Sequence, residues 1–162
     1  MKKVKLYTDG SSRGNPGPGG YGVILEDIES GVTKECSEGY KLTTNNRMEL
    51  MAVIAGLDKL NISPIDVEII TDSRYVCDAV EKKWLFKWES KGFKNKKNKD
   101  LWKRFLIHFY KHKIRIRWVK GHNNHRQNER CDFLALSASK KTNKKTDHEY
   151  EKNFQTKMGF KD

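Results

Sequence analysis

The chain has 162 residues, enough for one domain to bury a core without disulfides or a structural metal. Its 33 Lys+Arg against 21 Asp+Glu give a formal net charge of +12, an excess that favours a polyanionic partner over a merely solvated surface. Three widely spaced cysteines, Cys36, Cys77 and Cys131, form no CxxC pair and exclude a disulfide framework, and no apolar run approaches the roughly 20 residues a bilayer span needs.

The opening Met1-Lys2-Lys3 has the charge of a signal-peptide start, but Lys5 and Asp9 interrupt the apolar run that would have to follow, so a cytoplasmic location is expected. Val4, Leu6 and Thr8 alternate with Lys5, Tyr7 and Asp9 as in a strand, and Asp9-Gly10-Ser11-Ser12 ends it in turn chemistry. The run from Gly14 to Gly20 reads as a loop, followed by strands over 21–28 and 32–41 that meet near Ser30-Gly31. Three successive strands predict an antiparallel meander.

Thr43-Thr44-Asn45-Asn46 offers helix caps, after which Leu50, Val53, Ile54 and Leu57 repeat at helical spacing until Asn61 and Pro64. Glu49 rides on the first turns of this apolar helix. Val67, Ile69 and Ile70 mark a strand buried on both faces, and its carboxyl end delivers Asp72 into a new helix start. Residues 74–90 read as one helix, 91–99 as a Gly- and Lys-containing excursion and 100–111 as another helix.

Ile114, Ile116 and Trp118 alternate with Lys113, Arg115 and Arg117 as a last strand. Beyond the polar loop from Gly121 to Arg126, a final helix carries Cys131, Leu134, Ala135 and Ala138 on one face and Asp132 on a neighbouring one. From Lys140 onward the chain is rich in Lys, Asn and Thr and reads as a loosely ordered tail, with Phe154, Met158 and Phe160 as residues able to dock. The meander followed by helix-separated strands implies an α/β fold: a mixed sheet flanked by helices, with a site beyond the carboxyl ends of the strands bearing Asp9 and Asp72.

The charge is unevenly spread. Residues 82–120 hold 15 Lys+Arg against two acids, Glu89 and Asp100, together with all four tryptophans, while the rest of the chain is close to neutral. Cations neutralise phosphates and flat aromatic faces stack on bases or sugars, so the interleaving suits nucleic acid.

Five segments then resemble a known family in the right order over residues 3–139. They are Tyr7-Thr8-Asp9-Gly10-Ser11, the Gly14-to-Tyr21 loop, Thr44-Asn45-Asn46-Arg47-Met48-Glu49-Leu50, Thr71-Asp72-Ser73, and Lys120-Gly121-His122 running to Asn128-Glu129-Arg130-Cys131-Asp132. Together they resemble bacterial type 1 ribonuclease H. The resemblance implies a ribonuclease H-like fold with a five-stranded sheet, a catalytic domain over 1–139 and a tail over 140–162. It implies hydrolysis of the RNA strand of RNA–DNA hybrids by a monomer without an obligate protein partner.

It also implies two Mg²⁺ or Mn²⁺ ions held by Asp9, Glu49, Asp72 and Asp132. Such ions lie about 3.5–4 Å apart and suit hard oxygen ligands. By position Asp9 bridges both, Glu49 and Asp72 face the leaving-group side with Glu49 near the 2′-hydroxyl, and Asp132 serves the nucleophile side. His122 matches a mobile-loop histidine that assists proton transfer or product release.

For the substrate, the resemblance places Thr44 and Asn98 at a DNA-phosphate pocket and Asn15 and Asn45 at the groove. Trp84 and Trp88 contact the DNA strand, and Lys91, Lys94, Lys96 and Lys97 belong to a basic protrusion over about 87–99. Leu42 stands where an arginine of the phosphate pocket is expected, and Arg74 replaces an amide beside Asp72; these departures bear on hybrid grip, with Lys41 or Arg74 as the candidate compensating cation.

Taken singly, each residue has a plainer reading. Asp72 alone would be a cap, Glu49 alone a solvated helix residue, His125 a loop-ordering side chain, Trp118 a core residue, and Trp102 equally core or groove. A zinc site from His122, His125 and Cys131 lacks a fourth ligand. The competing functions are a junction resolvase or transposase-like nuclease of the same fold, or a binding module with a relic site.

Overall fold

The computed structural model describes residues 1–121 and 125–159. The period-2 segments form β1 (Lys3–Ser12), β2 (Gly17–Asp27) and β3 (Thr33–Thr43), paired antiparallel in succession. There follow α1 (Asn45–Asp58), β4 (Asp66–Thr71), α2 (Arg74–Glu81), α3 (Trp84–Ser90), α4 (Lys99–Lys111), β5 (Lys113–Trp118), α5 (Arg126–Ser139) and α6 (His148–Lys157). The sheet order is β3-β2-β1-β4-β5, with β4 parallel to both β1 and β5. This is the five-stranded mixed sheet flanked by helices that the element pattern implied. Among the described residues no helix is long and apolar enough to cross a membrane.

The alternation along each strand divides the core between two faces. Leu6, Val23, Val67 and Ile69 pack with Leu50, Val53 and Ile54 of α1 and with Trp102 and Phe105 of α4. Tyr7, Ile24, Ile70 and Val119 meet Cys131 of α5.

Three expectations are corrected, and the open choice for Trp102 between core and groove is decided. The Gly14–Gly20 run is only partly a loop, because β2 already begins at Gly17. Gly20 of the run and Gly22 just beyond it serve close packing: a Cβ on Gly20 would lie 2.4 Å from the Ala135 carbonyl oxygen, and one on Gly22 would lie 2.3 Å from that of Cys131. Only a strand without side chains lets the α5 backbone lie this close to the sheet.

Residues 74–90 are two helices, since Lys83 adopts the left-handed conformation with φ 62°. The change of direction carries Leu85 fully into the core and sets Phe86 against Phe109, ring centroids 5.1 Å apart. Trp102 belongs wholly to the core, its indole N–H donating to the Tyr75 hydroxyl at 2.9 Å and its ring meeting Trp88 and Phe105 edge-on.

The segment from Lys140 to residue 159 is not a loose tail. Lys145 bridges to Tyr40 beside β3, and α6 follows. The anchor is Asp147, which accepts from Arg47 Nε at 2.7 Å, Arg47 Nη2 at 3.0 Å and Thr43 Oγ1 at 2.8 Å. Arg47 and Asp147 side chains are 4% and 3% exposed, and a charge that deep requires its partner. Composition reported only that the segment is polar; it could not report that one acid meets a buried guanidinium.

Candidate active site

Asp9 and Asp72 are brought together by strand register. Tyr7 lies opposite Ile70 in the parallel β1–β4 pair, so two residues further along both chains the carboxylates emerge side by side on the α5 face. β1 runs on past the end of this pairing to Ser12 while β4 stops at Thr71, which opens the sheet where Asp72 leaves it. The Trp118 indole N–H donates to the Asp72 carbonyl oxygen at 3.0 Å and holds that exit. Trp118 is therefore only half-buried and supports the site as well as the core.

Glu49 arrives from the opposite side. Thr44 caps α1 by accepting from the Arg47 N–H at 3.2 Å, which sets Glu49 on the second turn, buried and pointing back at β1. Gly10 makes the approach possible, because a Cβ there would lie 2.2 Å from the Met48 carbonyl carbon. Its N–H donates to Glu49 Oε1 and also to Asp9 Oδ1, the latter at 3.0 Å.

One ligand oxygen from each of Asp9, Glu49 and Asp72 lies within 4.8 Å of the others. Asp132 of α5 stands on the wall of the same pocket, with Thr8, Gly121, His125, Asn128 and Glu129. His122 lies outside the described residues. Asn128 and Glu129 were not singled out from the sequence, yet they precede Asp132 by four and three positions, a helical spacing that puts them on its face.

Among the described residues no lysine, arginine or histidine forms an ion pair with any of the four carboxylates. Burial, reinforced by the neighbouring Asp72 and Asp132, pushes the Asp9 carboxyl up to about 8. Burial and the charges of Asp9 and Asp72 likewise raise Glu49 well above the ordinary carboxylate range. Thr8 Oγ1 and Asn128 Oδ1 are buried at this pocket without a partner among the described residues. Crowded, buried, uncompensated oxygens are a donor set suited to a hard divalent cation, and the residues present fit one.

The candidate substrate residues fall into two groups around this pocket. Asn15, Thr44, Lys96, Lys97 and Asn98 line one groove beside the N-terminus of α1. Asn15 Oδ1 accepts the Asn45 N–H at 3.1 Å, and Asn98 accepts from Arg47 Nη1 at 3.2 Å while donating to Tyr75. Arg74 covers the Trp118 ring, its guanidinium carbon 3.7 Å from the centroid, next to Asp72. Lys91 and Lys94 are exposed, whereas Phe93 is buried and anchors the protrusion from beneath.

The two tryptophans differ. Trp84 is 42% exposed with Lys82 over its ring, while Trp88 is half-buried against Trp102 and carries Lys96 at 5.3 Å. Trp84→Ala should raise KM for a nucleic-acid substrate roughly three- to tenfold and leave kcat within about twofold, because stacking acts in ground and transition states alike. Steady-state kinetics check this; an unchanged KM would remove Trp84 from the binding surface.

Comparison with known proteins agrees with this geometry. The RNase H family model matches residues 1–140. The chain is 50% identical over 155 residues to ribonuclease H of Rippkaea orientalis, covering 93% of each. It is 49% identical over 154 residues to that of Trichodesmium erythraeum, covering 92% of this chain and 96% of the other. Among solved structures, LC9-RNase H1, a type 1 RNase H with the type 2 active-site motif, superposes with a TM-score of 0.76 at 33% identity, over 86% of this chain and 72% of that one. LC11-RNase H1 in complex with an RNA/DNA hybrid gives 0.63 at 25% identity, over 83% and 95%. With the sheet order, the clustered carboxylates and these matches all in agreement, the chain belongs to the ribonuclease H family.

Proposed function

We propose that this chain hydrolyses the RNA strand of RNA–DNA hybrids with Mg²⁺ or Mn²⁺, two ions per site, held by Asp9, Glu49, Asp72 and Asp132. The observation that carries it is the convergence of Asp9, Glu49 and Asp72 within 4.8 Å, with Glu49 buried, the two aspartates half-buried and no ion pair to a cation among the described residues. Bound ions would activate a water and stabilise the departing 3′ oxygen, leaving 5′-phosphate and 3′-hydroxyl ends.

The protein's own groups do the rest. The Gly10 N–H orients Asp9 and Glu49 together, and the raised affinity of both for protons means that taking up a cation releases protons. Glu49 is assigned to the 2′-hydroxyl side, which distinguishes RNA from DNA. His122 is assigned to proton transfer or product release.

Thr44 and Asn98 take a DNA phosphate, Asn15 and Asn45 read the groove, and Arg74, Trp84, Trp88 and Lys91, Lys94, Lys96 and Lys97 grip the strands. A complex of the structural relative LC11-RNase H1 with an RNA/DNA hybrid supports this choice of substrate. The catalytic unit is assigned to residues 1–139, acting as a cytoplasmic monomer without an obligate partner.

The test is cleavage of a labelled hybrid beside matching DNA and RNA duplexes, with Mg²⁺, Mn²⁺ or chelator. Metal-dependent loss of the RNA strand of the hybrid alone is expected. Preferential cutting of the DNA duplex, or no cutting with either metal, would overturn the proposal.

A further inference from the structure

A groove of about 730 Å³ runs from the Asn15–Pro16 turn and the start of α1, over Lys96–Asp100, to α6. On α6 it is bordered by residues 149–150, 153–154 and 157–158, the spacing of one helical face. The family match ends at residue 140, so this wall lies outside it.

We propose that this face of α6 extends the nucleic-acid track, with Tyr150, Asn153, Phe154 and Lys157 receiving the DNA strand of a hybrid beyond the Thr44–Asn98 pocket. The inference rests on the proposed function. Two independent features support it.

The first is continuity. Asn15, Thr44, Lys96, Lys97 and Asn98, all expected to contact the hybrid, line the same groove as α6, so a strand seated on them lies against that helix. The second is charge and surface chemistry. Arg47 is shared between Asp100 at 2.8 Å and the buried Asp147 at 2.7 Å, which leaves Lys96, Lys97, Lys99 and Lys157 against Glu149 and one surplus acid of that cluster, still a cationic balance.

A cationic groove tracks a phosphate backbone, and the tilted Tyr150–Phe154 pair, centroids 6.0 Å apart, offers flat faces to sugars or bases. Asn153 adds an exposed amide between them. An apolar peptide would gain little from four lysines, whereas a polyanion gains from each.

Anisotropy of a labelled RNA–DNA hybrid two helical turns long, titrated with the whole chain in chelator, reads binding without cleavage. Lys157→Glu is expected to weaken binding roughly three- to tenfold and to make the dependence of log Kd on log salt shallower by about one. Lys152→Glu makes the same charge change on the exposed surface roughly 140° around the helix, and is expected to shift Kd less than twofold.

Equal losses in both variants would reduce the effect to net charge, and no loss in Lys157→Glu would remove α6 from the track; either overturns the inference. Cleavage assayed on the same protein preparations in separate reactions, with Mg²⁺ or Mn²⁺ in place of chelator, separates the two readings. A parent that binds through Lys157 but does not cut sinks the enzymatic proposal and leaves the groove, while cutting that is indifferent to α6 does the reverse.

Discussion

Replacing Asp9 by Asn is expected to lower kcat for hybrid cleavage by roughly a thousandfold or more while making the metal-free protein more stable. Asp9 feels every other member of the cluster: the Gly10 N–H donates to it at 3.0 Å, and the charges of Asp72 and Asp132 both bear on its carboxyl. Losing one anionic oxygen there weakens cation binding outright. Yet in the absence of metal the same charge is a burden, since burial and neighbouring acids hold the carboxyl near 8 against an ordinary 3.8.

The sign follows from proton counting. Between about 3.8 and 8 the folded state keeps a proton that the unfolded chain has released, so stability in chelator falls as pH rises through that window. Asparagine carries no such penalty. Thermal melts in chelator at pH 8 should place Asp9→Asn above the parent by roughly 5 °C, a gap that narrows toward pH 4 and shrinks when Mg²⁺ or Mn²⁺ is added to the parent. A variant that melts below the parent at pH 8 in chelator would contradict the reading of the cluster as strained by its own charge.

The second large effect is structural. Asp147→Ala should destabilise the chain by about 2–4 kcal/mol and lower Tm by roughly 10 °C, because it leaves the buried Arg47 Nε without its acceptor, leaves Arg47 paired with the more exposed Asp100 alone and removes the acceptor of Thr43. Asp100→Ala removes the other carboxylate on Arg47, but that side chain is 30% exposed and water can replace it, so the loss should be much smaller. Denaturant melts of the two variants make the comparison. Similar losses would show that Asp147 is not the anchor of the segment leading to α6.

How much of this was legible beforehand differs from residue to residue. The alternation from Val4 to Asp9 and the apolar run of Val67 to Ile70 each pointed to a strand ending in a carboxylate, because a strand's period and its terminating turn residues are local properties. Glu49 was legible as an acid placed in an apolar helix. Its partner Gly10 was not, since a glycine's role as the place where α1 touches β1 depends on a contact 39 residues away. Gly20 was misread for the same reason: loop punctuation and close helix–strand packing use the same residue.

By itself, then, the sequence determined the α/β order of elements, the polyanionic partner implied by residues 82–120, and which four acids to consider at the site. It did so because periodicity, charge and motif spacing are carried along the chain. Only the tertiary structure decided that Asp9, Glu49 and Asp72 converge within 4.8 Å, that Trp102 is core while Trp84 is surface, and that Asp147 ties residues 140–159 to Arg47. Burial and pairing are properties of what lies across the fold, and no local pattern around Asp147 or Trp102 records them.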